Sequence, residues 1–214
     1  AKEPYYSLQE EIIETGIRAF MKEKQNSPMS DEEKIFAMES IWWYREEEHG
    51  LRIERTGALI PKHVLEPLGC VDPSSGEVKP SVNKKPDFTC ILSGYKDRMG
   101  RLFVDSDLTQ RVPPSVYMKQ IFEMYSVYNF KTFGIESNLF RNLMSQNMRE
   151  ERERYERKTN ERVTMKMFEI WQTENKQKRI YTIEPHVSHG RILFNKDKIS
   201  QLFMNQLYDF PKAA

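Results

Sequence analysis

The run Leu68-Gly69-Cys70-Val71-Asp72-Pro73-Ser74-Ser75-Gly76 constrains this chain more than any other stretch. Cys70 and Val71 suit a buried strand, whereas Pro73, Ser74, Ser75 and Gly76 cannot continue one and mark a turn. Asp72 is therefore expected at the end of a strand, held by rigid backbone and open on one side. Two further strands are predicted over 87–94 and 101–105, joined by the hairpin turn Lys96-Asp97-Arg98-Met99-Gly100. Later, Phe130-Lys131-Thr132-Phe133-Gly134-Ile135-Glu136 repeats the pattern of an apolar strand closing on a carboxylate.

Around these strands the periodicity turns helical. Pro113-Pro114-Ser115 introduces a helix through Val116, Met118, Ile121, Phe122 and Tyr125, and another starts near Leu139. Its continuation over 149–158 is mixed in charge, with Glu150–Arg154 and Glu153–Arg157 at helix-favourable spacing; it reads as a solvated helical extension or a loop. A strand over 163–170, a helix opening at Thr173-Glu174-Asn175, the strand Ile192-Leu193-Phe194 and a last helix over 199–208 complete the set. Three strands followed by helix, strand, helix imply an α/β fold: a mixed sheet with helices on its faces, the first three strands an antiparallel meander.

Ahead of this, residues 1–64 are expected to form a helical segment or linker, with the mixed-sheet domain over 65–214. Ser7-Leu8-Gln9-Glu10 resembles a capping box, and a second helix is predicted from Ser30 with Ile35, Met38, Ile41 and Trp42 on one face. That face suits core packing or a partner surface.

The 214 residues carry a net charge of +1, so any nucleic-acid binding must come from a local patch. Two patches qualify: Lys84 and Lys85 in the loop after Gly76, and Lys176, Lys178 and Arg179 near the start of a predicted helix. The second reads equally well as an ordinary helix surface. Cys70 and Cys90 read as reduced core residues. The chain opens without a secretory signal and has no apolar run near the ~20 residues that span a bilayer, so an intracellular, membrane-free protein is expected.

Strand-end carboxylates on one sheet edge suit hard divalent ions, which take oxygen ligands; two such ions activate water and stabilise a leaving oxygen in phosphodiester hydrolysis. Asp72 and Glu136 are the first candidates, and Asp87 the next because a hairpin brings the start of the second strand beside the end of the first. Asp105 and Asp107 read as strand-end residues that solvent covers. There is no GxxxxGK[ST] phosphate loop and no G-x-S-x-G elbow, which argues against a nucleotide-driven motor or a serine hydrolase.

Taken in order, Val71-Asp72-Pro73-Ser74-Ser75-Gly76, Asp87-Phe88-Thr89, Gly134-Ile135-Glu136-Ser137-Asn138, Asn175-Lys176 through Arg179-Ile180, His189-Gly190-Arg191-Ile192-Leu193-Phe194 and Gln206-Leu207-Tyr208-Asp209-Phe210-Pro211 resemble the C-terminal nuclease domain of the large terminase subunit of tailed bacteriophages. The resemblance covers roughly 65–214. It implies a ribonuclease H-like fold and a metal-dependent endonuclease that cuts double-stranded viral DNA concatemers during genome packaging. Asp72 and Glu136 would be its catalytic metal ligands and Asp87 an accessory one, holding Mg2+ or Mn2+, with two ions in the complete domain. The third metal aspartate of the family is expected just past the Phe-Pro motif, beyond Ala214. The family's phosphate-loop ATPase domain is absent from this chain; that domain, the portal and the small terminase subunit are the implied partners, in the cytoplasm of the host. The rival expectation is a DNA-gripping or docking module whose carboxylates no longer cut, and a third is a junction-resolving or transposase-like enzyme.

Overall fold

The computed structural model describes residues 35–74, 87–136, 141–172 and 174–210, with backbone alone at 141–145 and 176. Among the described residues nine strands form one sheet: β1 (Trp42–Glu47), β2 (Gly50–Ile53), β3 (Leu59–Pro61), β4 (Glu66–Asp72), β5 (Thr89–Lys96), β6 (Leu102–Gln110), β7 (Thr132–Glu136), β8 (Lys166–Ile170) and β9 (Ile192–Asn195). Their order is β3-β2-β1-β9-β6-β5-β4-β7-β8. Four α-helices are described: α1 (Pro114–Tyr128), α2 (Arg141–Thr159), α3 (Lys176–Ser188) and α4 (Gln201–Tyr208).

The expected meander is present, β4-β5-β6 pairing antiparallel in sequence order. β7 then runs parallel to β4, and β8 parallel to β7. Alternation sorts the side chains of this half. Val71, Ile91 and Phe133 bury against Tyr117, Met118, Ile121, Phe122 and Tyr125 of α1 and Met148 of α2. The opposite face carries Cys70, Asp72, Cys90, Gly134 and Glu136, because successive strand residues point to opposite sides. Further along the sheet that second face is covered by Val187 of α3 and Met204 and Tyr208 of α4, which bury against Phe194. The mixed sheet with helices on both faces, expected from sequence, is thus what the chain builds.

The N-terminal region departs from expectation. From residue 35 on, the helix predicted from Ser30 through Ile41 and Trp42 is a 3₁₀ turn at Met38–Ser40 followed by strand β1; its first residues and the helix expected after Ser7 lie outside the described residues. Trp42, Trp43 and Tyr44 are strong strand formers, and β1 finds partners on both edges, β2 antiparallel and β9 parallel. Tyr44, Leu51 and Ile53 then bury with Phe103 and Leu193. The strands before and after residue 64 therefore share one sheet.

Asp105 departs as well. β6 continues to Gln110 and carries a bulge opposite Ser93 and Gly94, so Asp105 is an interior residue with no exposed surface. Its Oδ1 accepts from Tyr44 Oη at 2.9 Å and Asn195 Nδ2 at 2.7 Å. Its Oδ2 accepts from Tyr128 Oη at 2.7 Å and Lys198 Nζ at 2.9 Å. Asp107 is not a bare surface group either: it accepts from the Ser200 backbone N–H and hydroxyl at 2.6 and 2.7 Å, tying β6 to the turn that opens α4. In α2 the charge pairs differ from those predicted, Arg152 meeting Glu156 at 3.1 Å and Arg154 meeting Glu151.

Candidate metal and nucleic-acid site

Asp72 ends β4 and Glu136 ends β7, and these neighbours run parallel. The register sets Val71 opposite Ile135, so one step on, Asp72 and Glu136 stand side by side on the same face. Pro73, which has no N–H to give to a ladder, follows Asp72 directly at the end of β4. The turn is anchored by Thr89, a buried residue that accepts the Ser74 N–H at 3.0 Å. Asp72 is exposed; Glu136 keeps 18% of its side chain accessible.

Gly134, two residues before Glu136, makes room for the neighbouring strand. A Cβ there would lie 2.6 Å from Ile170 Cδ1 and 3.2 Å from Phe168 Cζ. The side chains of β8 therefore lean across β7 on the carboxylate-bearing face, and Phe168 stays 51% exposed there.

The two carboxylates act on their surroundings. Burial first, then the charges of Asp72 and Glu136, push the Cys70 thiol up to about 11. Burial likewise pushes Cys90, which pairs in register with Asp72, up to about 12. Both cysteines are unbridged, and burial favours their neutral thiol form.

The cation at the carboxylates comes from α3. Asn175 caps α3, accepting the Gln177 N–H at 2.8 Å. One turn in, Arg179 reaches down to Glu136, its Nη2 donating to Oε1 at 3.3 Å. Lys178 instead points to solvent and pairs with Glu174 at 3.0 Å. Lys176 opens the helix, its side chain outside the described residues. The predicted basic cluster thus divides, with Arg179 at the carboxylates and Lys178 on the outer surface. Lys84 and Lys85 lie outside the described residues. Arg111, which sequence reasoning passed over, lays its guanidinium over the Phe88 ring at 3.6 Å, just after the end of β6.

Asp87 is exposed, two residues ahead of β5. Among the described residues no group of three His, Cys, Asp or Glu side chains gathers as a metal cage, so Asp87 does not complete a triad with Asp72 and Glu136 there. No described helix is long and apolar enough to cross a membrane.

No family model and no curated protein matches the sequence. Among solved structures, the yeast mitochondrial Holliday junction resolvase Ydc2 is similar at 8% identity over 59% of this chain and 67% of that one, with a TM-score of 0.39. The nuclease domain of the large terminase subunit gp2 of bacterial virus Sf6 is similar at 12% identity over 67% of this chain and 69% of its own, with a TM-score of 0.40. A mutant of that domain, with manganese and beta-thujaplicinol, gives 11% identity, the same coverages and a TM-score of 0.40. These likenesses are distant, and the chemistry of the site rests on its own residues. The chain is thus similar to, among others, the nuclease domain of a phage large terminase subunit, the family that its motif order resembles.

Proposed function

We propose that this chain is a metal-dependent nuclease domain acting on double-stranded DNA. The observation that carries the reading is the register that sets Asp72 beside Glu136 at the ends of two adjacent parallel strands. The donor set fits a hard divalent ion in part: two carboxylates on rigid backbone can hold Mg2+ or Mn2+, with water completing the shell. Bound there, the ion would supply an activated water and charge stabilisation for the leaving oxygen. Asp72 and Glu136 are the proposed ligands, with Asp87, which belongs to no three-residue acidic group among the described residues, as the proposed accessory one. Arg179, with Lys176, Lys178, Lys84 and Lys85, would meet the phosphate backbone.

The finer reading follows the motif order: an endonuclease that cuts viral DNA concatemers during packaging, in the host cytoplasm, with a packaging ATPase domain, portal and small terminase subunit as partners. A non-cleaving DNA-gripping module is the rival. It is favoured by the ion pair from Arg179 to Glu136 and by the lack of a third acidic ligand among the described residues.

Supercoiled-plasmid nicking separates the two. The chain is expected to nick in Mn2+ and more slowly in Mg2+, which demands near-ideal octahedral geometry. Asp72→Asn should abolish nicking while leaving salt-dependent DNA binding in place. DNA binding without nicking in either metal would overturn the nuclease reading in favour of the gripping module.

A further inference from the structure

Arg179 is half used. The Nε–H and one Nη2–H of a guanidinium point the same way and form a fork matched to two oxygens of one carboxylate or phosphate. Of this fork Nη2 is the tine engaged among the described residues, and its contact with Glu136 is 3.3 Å, longer than the 2.7–2.9 Å usual for a charge-assisted bond. Nε is buried and finds no hydrogen-bond partner among the described residues. A buried donor without a partner is a cost that native structures rarely carry without reason. The helix that presents Arg179 is fixed at its start by the Asn175 cap, and the side chain is only 25% exposed. The fork is therefore held beside Glu136 with one tine empty.

From this geometry we propose that Arg179 is the clamp for a backbone phosphate at the carboxylate pair, and that it also serves as counter-ion of Glu136 until a divalent ion arrives. The inference rests on the nuclease reading of the same site. A divalent ion and a guanidinium compete for Glu136, because both are cations seeking the same oxygen. Occupation of the carboxylates by metal would release Nη2. Nε and Nη2 would then be free together to take two oxygens of one phosphodiester, next to the ion and away from the outer surface where Lys178 lies. Lysine could replace the charge but not the fork.

The experiment uses the whole chain and four proteins: wild type, Asp72→Asn, Arg179→Ala and Arg179→Lys. Mn2+ affinity is read from the free-ion electron paramagnetic resonance signal, and plasmid nicking gives kcat and KM. Arg179→Ala should bind Mn2+ about tenfold more tightly, the scale of one competing charged hydrogen bond. Its kcat should fall on the order of 10²-fold, as when a donor to a reacting oxyanion is removed. Arg179→Lys should remain near Arg179→Ala in kcat, and added guanidinium ion should restore part of the activity of Arg179→Ala. Arg179→Ala that nicks like wild type, or that loses Mn2+ as Asp72→Asn does, overturns the clamp while leaving the nuclease reading intact. Asp72→Asn that nicks like wild type overturns the nuclease reading itself. Should wild type nick nothing, that reading fails too, and unchanged Mn2+ affinity in Arg179→Ala then overturns the exchange.

Discussion

Asp105 shows what a single side chain can hold together. Its four donors come from β1, α1, the end of β9 and the turn before α4, so one carboxylate joins the N-terminal strands to both helical layers. Burial works against its charge, but donation from Lys198, Tyr128 and Asn195 outweighs it and leaves the carboxyl below its ordinary value. Tyr44 is pushed up by burial and by Asp105, so it stays a donor. The sign is that of a depressed acid: the stabilisation is complete above the unfolded value of about 3.9 and is lost as pH falls through the lower folded value. Asp105→Ala should lower unfolding free energy by about 2–4 kcal/mol, since it strands buried donors. It should also remove part of the acid dependence; urea midpoints at pH 7 and pH 3 measure both. None of this was legible in sequence. Asp72 and Glu136 stand out because each closes an apolar run, whereas Asp105 sits beside a bulge that alternation cannot see, and its donors Tyr44, Asn195 and Lys198 lie 61, 90 and 93 residues away.

At the level of the element, the bulge between β5 and β6 depends on Gly94, where an added Cβ would collide with the Phe103 carbonyl. That neighbour is backbone, so it cannot swing aside as a side chain could. Gly94→Ala should destabilise by about 1–3 kcal/mol, the usual range for an overpacked interior. Because the bulge sets where Asp105 points, Gly94→Ala and Asp105→Ala should be strongly non-additive in thermal or urea unfolding. Element identity was readable wherever local pattern and tertiary partner agree, as in β4, β5, β7, α1 and α3. It failed at β1, where Ile35, Met38, Ile41 and Trp42 happen to fall at helical spacing. The decision there belongs to pairing with β9, which lies some 150 positions away, and no local window holds that information.

For the whole molecule, the sheet makes residues before 65 part of the body that carries the carboxylates. Removing residues 1–64 would strip β1 from β9, uncover Phe103 and Leu193, and take Tyr44 from Asp105. A chain beginning at residue 65 is expected to be insoluble or molten, with lost near-ultraviolet circular dichroism, although it retains Asp72 and Glu136. A soluble, cooperatively unfolding fragment would mean that the strands before residue 64 are an accessory layer.

The position of β9 sets a clock on synthesis. It is the penultimate described element, yet it is inserted between β1 and β6, both made much earlier. Until residues 192–195 leave the ribosome, two hydrophobic strands wait with the edges that should face it unsatisfied, and open edges of this kind recruit other chains. At about 5–20 residues per second, the interval between finishing β6 and finishing β9 is several seconds. Nascent chains arrested just short of residue 192 should therefore be protease-sensitive in β1 and should co-purify with holdase chaperones. Chains arrested far enough beyond residue 210 for that residue to clear the exit tunnel should be neither.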